Sequence, residues 1–396
     1  MTSRALPWTP DFERYAIVHR IVAATVNEDV VRVRWSDGRE SLHHALWLRE
    51  NSPDPDTIHP LSREMLLDPL DIPSDIAPSS AIVLDDGTLE VSWSHEALVS
   101  AYHPGWLRAH AYFDDEAATN GTAGTTVTWD ASTLTAPLTF NGLKALEDES
   151  AYLGWLQALR DYGVARLEGL PIGADTLQRV VGRIGPMRAT NFGRTFDVVV
   201  KDDPNSNAYT AAALVQHMDL ATREMPPGLQ FLFCRENSTH GGEGVYTDGF
   251  RIAADMKEND PAHFEALCSI RWEFKNRAKD CDYRAVGPVF AHDASGAITD
   301  VRFTPWLRAP LKASIVDQRL AYTAIRAFMT HNRDTKYQVR LTYRPGDLLA
   351  FDNRRILHGR ASFDAAGGSR YLHGCYMDRD DLLSCIRTIE RTAQPR

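Results

Sequence analysis

What most constrains the fold is how strand-like and helix-like runs are distributed after residue 135. GLQFLFC, ITDVRF, QVRLTY and DLLAFD are short apolar runs of strand length, the last two joined by the turn dipeptide Pro345-Gly346. Long stretches of helical spacing interrupt them, near residues 251–258, 261–268 and 314–331, and a last helix begins near Asp380. Upstream, Tyr152, Leu153, Trp155, Leu156 and Leu159 fall at helical spacing within residues 149–161 and close on Gly163. VARLEGL then reads as a strand, and Asp175 stands as an N-cap for TLQRVVGRIG. A doubly wound parallel sheet would alternate strand and helix one for one. Strands broken by long helical inserts predict instead a mainly β fold, a sandwich or jelly roll decorated with helices.

Residues 1–112 read as a separate small β domain. VVRVRWSDGRES alternates apolar and polar side chains around Asp37-Gly38, and AIVLDDGTLEVSW does the same around Asp86-Gly87, both strong hairpin signals. NSPDPDTIHP between them is too rich in Pro and Asp to be anything but a loop. FDDEAATNGTAGTTVTWDAST has no periodicity and predicts a linker over residues 113–135, with a second domain over 136–396.

Charge and cysteine usage narrow the function. The chain of 396 residues carries 43 Lys and Arg against 53 Asp and Glu, a net charge of −10. Phosphate contacts need clustered basic residues, so a general nucleic-acid binder is not expected. No apolar run approaches the ~20 residues of a membrane helix, and MTSRALPWTPDFERY lacks the apolar centre of a signal peptide. Cys234, Cys268, Cys281, Cys375 and Cys385 are odd in number and scattered, which suits reduced thiols in a cytoplasm.

Two segments carry chemistry. In VQHMDLATREMPPG, His217 and Asp219 stand two apart; in an extended segment such residues point the same way and can converge on one metal. Two His and one carboxylate form the open-sided ligand set of non-haem Fe(II) oxygenases. A His-x-Asp pair is weak alone, because 14 His make chance pairs easy. The second segment, DLLAFDNRRILHGRASFD, brings His358 just after a strand, and Arg370 follows twelve residues later in SRYLHGCYMDRD. The fork of an Arg grips a carboxylate at two points, as a metal-chelating keto acid with a distal carboxylate would require.

NSNAYT, HMDLATREMPPGLQFLFC, GGEGVYTDGF, FDNRRILHGR and SRYLHGCYMD lie in the order and spacing of one family. From about residue 140 onward the chain resembles the γ-butyrobetaine and trimethyllysine hydroxylases, which are TauD-like Fe(II)/2-oxoglutarate dioxygenases. The resemblance implies a double-stranded β-helix, Fe(II) held by His217, Asp219 and His358, and Arg370 on the far carboxylate of 2-oxoglutarate, with O2 as oxidant. ALWLRENSPDPDTIHPLSREMLLDPLDIP extends it to that family's accessory domain, and homodimerisation follows only from the family. Members commonly carry Cys where this chain has Ser52, Asp54 and Thr57, joined by a His to hold structural zinc. Hydroxyls do not replace thiolates, so zinc is not expected, although His59 and His95 lie nearby.

For the substrate, the resemblance places Phe192, Phe196, Tyr209 and Tyr376 at the positions of an aromatic cage. Such a cage suits a trimethylammonium group, which cannot donate hydrogen bonds. At the anion end, Ser206 (or Asn205 or Asn207, with the alignment slipped by one) and Thr304-Pro305 stand where γ-butyrobetaine hydroxylases use Asn, with Arg308 close by; Leu220 replaces an aromatic beside the Asp ligand. Two substrates stay open: γ-butyrobetaine itself, or its phosphonate counterpart 2-(trimethylammonio)ethylphosphonate with Arg308 as the anion ligand. Gly244 stands where relatives place a hydroxyl that supports the keto acid, a loss worth ~1 kcal/mol. Other classes remain to be excluded: a non-catalytic sensor on this fold, or a metal-dependent isomerase or hydrolase on a jelly roll.

Overall fold

The computed structural model describes residues 5–113, 126–200, 210–276, 278, 280–364 and 367–393. Ser206 and Tyr209, two of the expected substrate contacts, lie outside the described residues. The chain divides into two compact units, residues 1–122 with 391–396, and residues 123–390.

The first unit holds two antiparallel three-stranded sheets: β1 (Ile21–Asn27), β2 (Val30–Trp35) and β3 (Glu40–His44), then β4 (Pro78–Val83), β5 (Leu89–Trp93) and β6 (Val99–Tyr102). Gly38 (φ 85°) and Gly87 (φ 90°) sit in the two hairpin turns, in a backbone region that a Cβ disfavours. Alternation buries Val31, Val33 and Trp35 while Arg32 and Arg34 face out. Ser52 and Thr57, where the resemblance would place thiolates, are engaged in hydrogen bonds. Ser52 Oγ donates to Ser100 Oγ (2.7 Å), which also accepts from Trp93 Nε1 (2.9 Å). Thr57 Oγ1 accepts from Arg49 (2.7 Å), and Arg49 pairs with Glu96 (2.5 Å). His59 Nδ1 accepts two turn N–H groups, and His95 pairs with Asp75. This donor set does not fit zinc.

The second unit is built on two sheets. Its strands are β7 (Leu138–Asn141), β8 (Val164–Glu168), β9 (Thr195–Val198), β10 (Leu214–His217), β11 (Leu229–Asn237) and β12 (Gly244–Asp248), the hairpins β13 (Trp272–Lys275) with β14 (Arg284–Gly287) and β15 (Phe290–His292) with β16 (Ile298–Val301), then β17 (Gln338–Leu341), β18 (Leu348–Asp352), β19 (Ile356–Arg360) and β20 (Arg370–Met377). The large sheet runs β7-β8-β18-β11-β20-β9 and the small one β10-β19-β12-β17. From β17 onward each strand passes to the other sheet, the winding of a double-stranded β-helix. Helices 149–162 and 379–393 bury Trp155, Leu156, Leu159, Leu382 and Ile386 with Phe231, Phe233, Cys375 and Met377 of the large sheet. Strand alternation then turns Gln230, Leu232, Leu372 and Tyr376 to the opposite face. The insert between β12 and β17 packs helices 249–259, 261–269 and 315–333 around Ile252, Phe264, Trp272, Phe290 and Phe328.

Two local expectations change. Asp175 precedes the helix at 176–181 but makes no side-chain cap bond. Residues 126–135, expected as linker, are packed in the second unit: Trp129 is buried, its backbone N–H donates to Asp248 (3.1 Å) and its indole to the Tyr162 carbonyl (2.8 Å). One large buried aromatic with two hydrogen-bond acceptors outweighs the spacer-like composition around it.

Candidate active site

β10 and β19 place His217 and His358 as direct cross-strand partners, with ring centroids 4.4 Å apart. His217 ends its strand, and Asp219 opens the turn after it. Convergence therefore comes from a turn as well as from strand alternation. Buried Asn353, in the β18–β19 turn, holds that turn: its Oδ1 accepts the Asp219 N–H (2.8 Å), and its Nδ2 donates to the carbonyls of Asp219 and Pro227 (3.0 Å each). The next residue, Leu220, has φ 55°, a left-handed conformation that a branched side chain adopts only under constraint.

Asp219 Oδ1 lies 3.3 Å from His217 Nε2 and 3.7 Å from His358 Nε2. The three ligand atoms fall within 4.8 Å of one another, the one such group of His, Cys, Asp or Glu among the described residues. His217 Nδ1 lies 2.9 Å from the Val215 carbonyl. Nδ1 therefore donates there, and Nε2 is the ring atom turned toward Asp219. Tyr376 donates its hydroxyl to the other carboxylate oxygen (2.6 Å), leaving Oδ1 for a metal. Burial pushes His358 down to about 3, so it is neutral at pH 7. Burial alone would raise the Asp219 carboxyl, but the facing His358 and His217 and the Tyr376 hydroxyl outweigh it, and the carboxyl is held well below its ordinary range. Two imidazoles and one carboxylate converging on one point fit a divalent cation.

The triad opens into a cavity of about 130 Å3 between the two sheets. On one side Phe196 stacks on Tyr376 (centroids 4.8 Å), and Phe192, 41% exposed, stands at the rim. Arg370 lies six residues before Tyr376 on β20, at the strand's other end, and lines the same cavity with Arg360, Tyr246 and Tyr343. Arg370 is 7% exposed, its Nε has no hydrogen-bond partner, and no carboxylate among the described residues pairs with it. Burial lowers its pKa, yet a guanidinium stays charged. A buried cation without a counter-ion is costly unless a ligand supplies the anion.

Of the expected site residues, His217, Asp219, His358, Arg370, Phe192, Phe196 and Tyr376 meet at this cavity. Arg308 does not. Its neighbours bond to the backbone of β13 (Lys275 N–H to Leu307 O, Ala309 N–H to Glu273 O), so its guanidinium lies over the Trp272 ring, 4.9 Å from the centroid. Thr304 is buried outside the cavity lining. Reading the sequence missed Arg360, Gln230, Tyr246, Tyr343 and the role of Asn353. Arg360 had a signal, being two residues beyond His358 on one strand face. The tyrosines had none, because Tyr246 on β12 and Tyr343 just beyond β17 meet only in the folded sheet.

Residues 124–376 match the family model of "Taurine catabolism dioxygenase TauD, TfdA family", and residues 22–108 match "Gamma-butyrobetaine hydroxylase-like, N-terminal". The chain is 39% identical over 381 residues to a γ-butyrobetaine dioxygenase from Pseudomonas sp. (strain AK-1), covering 96% of this chain and 99% of that one. The human γ-butyrobetaine dioxygenase is 28% identical over 92% of this chain and 95% of its own. A trimethyllysine dioxygenase from Meyerozyma guilliermondii is 25% identical over 95% and 98%. A solved taurine dioxygenase from Burkholderia xenovorans superposes with a TM-score of 0.47 at 14% identity, over 62% of this chain and 88% of that one. With its jelly roll, its His-Asp-His centre and near full-length likeness to named dioxygenases, the chain belongs to the TauD/TfdA family, in its γ-butyrobetaine hydroxylase-like group, and is an Fe(II)- and 2-oxoglutarate-dependent dioxygenase.

Proposed function

We propose that this dioxygenase hydroxylates an unactivated C–H bond of a small trimethylammonium zwitterion, with γ-butyrobetaine as substrate and L-carnitine as product. The observation that carries this reading is the stacked Phe196–Tyr376 pair directly beside Asp219, in a cavity whose other end holds Arg370. Aromatic faces attract a quaternary ammonium that no hydrogen-bond acceptor can hold. The 39%-identical relative is named for γ-butyrobetaine, which supports a carboxylate at the opposite end. The phosphonate alternative drew on Arg308, which lies over Trp272 and does not line this cavity.

In this reading His217, Asp219 and His358 hold the iron, and Arg370 grips the distal carboxylate of 2-oxoglutarate. Bound iron would supply the oxidising chemistry: O2 is consumed, 2-oxoglutarate leaves as succinate and CO2, and one oxygen atom enters the substrate C–H bond. The chain's own groups do the positioning. The Val215 carbonyl fixes the His217 tautomer, and the Tyr376 hydroxyl holds Asp219 Oδ2 so that Oδ1 faces the metal. The same Tyr376 presents its ring to the cation, which ties the cage to the metal centre through one side chain. Fixing the ammonium against the rings restricts which methylene reaches the iron, so regioselectivity follows from distance. Five unpaired cysteines support a reducing compartment.

The test is 2-oxoglutarate turnover with Fe(II), ascorbate and O2, offering γ-butyrobetaine, trimethyllysine and 2-(trimethylammonio)ethylphosphonate in parallel and following the gain of one oxygen by mass. Hydroxylation of γ-butyrobetaine in preference to the others is expected. Preference for the phosphonate would overturn the carboxylate assignment, and no turnover of any of the three would overturn the cage.

A further inference from the structure

We propose that the paired hydroxyls of Tyr246 and Tyr343 form a built hydrogen-bond donor for the carboxylate that Arg370 holds, and that they replace a side-chain hydroxyl at position 244. The inference rests on Arg370 being the 2-oxoglutarate site. Tyr246 and Tyr343 are 1% and 2% exposed, and their hydroxyl oxygens are 2.6 Å apart. Two hydroxyls bring two protons, and the bond between them uses one. Among the described residues neither phenol has another acceptor, so one O–H is left over in a buried place, where leaving it unmatched is costly. Burial pushes the Tyr246 phenol up to about 12 and Tyr343 well above its ordinary value, so both keep their protons at neutral pH.

That spare donor faces the same cavity as Arg370, whose guanidinium carbon is 6.0 Å from the Tyr343 ring centroid. A carboxylate has more lone pairs than one guanidinium fork can satisfy, and a phenol beside the fork adds a further donor. The register places this donor between the metal and the arginines: Tyr246 is the cross-strand partner of His358, and Gly244 that of Arg360. The glycine is part of the device. Tyr246 lies two residues beyond Gly244 on one strand face, and an atom at the Cβ position of residue 244 would come within 2.6 Å of the Tyr246 hydroxyl oxygen. The hydroxyl expected from residue 244 is therefore displaced, not lost; the strand carries it on Tyr246, and residue 244 must be Gly to admit it.

The experiment uses full-length Fe(II) enzyme without O2, titrated with 2-oxoglutarate and read by the visible charge-transfer band, with steady-state KM and kcat alongside. Tyr246→Phe/Tyr343→Phe keeps both rings, and it is expected to weaken 2-oxoglutarate about tenfold or more, the value of a hydrogen bond to a charged group. The loss should fall on the 2-oxoglutarate KM more than on kcat. Each single change should cost less, because the remaining oxygen can still donate. Gly244→Ser decides the matter from the other side. If a hydroxyl were simply missing, serine would tighten 2-oxoglutarate; if Tyr246 already occupies that space, serine weakens it. Unweakened 2-oxoglutarate binding in the double variant, or tighter binding in Gly244→Ser, overturns the proposal. Arg370→Met is the separate control: should it leave 2-oxoglutarate binding intact, the reading of Arg370 fails, whatever the tyrosines do.

Discussion

Replacing Asn353 by Ala should loosen the metal centre without touching a ligand. The side chain makes three hydrogen bonds, two of them to the backbone of Asp219 and one to Pro227, and it is fully buried. Deleting it strands one N–H and two carbonyls, at about 1–3 kcal/mol for each group left unmatched. Asp219 is partly exposed, so water recovers some of this, leaving a net loss of roughly 2–4 kcal/mol. For a unit of this size each kcal/mol is worth about 2–4 °C, so the melting temperature should fall by roughly 5–15 °C. The left-handed Leu220 (φ 55°) would relax at the same time, releasing ~1 kcal/mol or more of backbone strain and moving Asp219 with it. The affinity for Fe(II), or for Co(II) as a spectroscopic stand-in, should then drop about 10–100-fold, as for other groups that orient metal ligands. Anaerobic metal titration and thermal melting of the same preparation measure the two losses. A variant that melts lower yet binds metal with unaltered affinity would show that Asn353 supports the fold but does not aim Asp219.

His217→Ala or Asp219→Ala should abolish turnover and stoichiometric iron binding; retained 2-oxoglutarate-dependent product in His217→Ala would sink the ligand assignment. Arg370→Met should raise the 2-oxoglutarate requirement about 10–100-fold through loss of a charge-assisted fork, measured as KM at saturating substrate. In the first unit, burial pushes buried His43 down to about 4 from an ordinary 6.5. The unfolded chain therefore takes up the proton first as pH falls, so the stability present above 6.5 is lost progressively down to about 4, at 1.36 kcal/mol per pH unit, about 3 kcal/mol in all. His43→Gln should flatten that window in hydrogen-exchange protection of β2 and β3; an unaltered pH slope would show that His43 is not the group responsible.

The sequence determined much of this protein because the signals were local. Hairpins at Asp37-Gly38 and Asp86-Gly87 need only the turn residues and alternating flanks, and the amphipathic helix closing on Gly163 (φ 71°) needs only its own spacing and cap. His217, Asp219, His358 and Arg370 were legible as a set because the two short segments that carry them resemble one family, and the fold brings all four to one cavity. Where local signals misled, a tertiary contact won. Trp129 turned spacer-like residues into packed ones, and the strand-like pairing of 307–309 with β13 carried Arg308 to Trp272 and away from the cavity. Other features exist only between strands far apart in the chain: Asn353 holding Asp219 across 134 residues, Tyr246 meeting Tyr343 across 97, and Tyr376 reaching Asp219 across 157. The residue types for chemistry are set one at a time along the chain, but which hydroxyl faces which carboxylate is set by sheet register, and register is decided only when the two sheets close on each other.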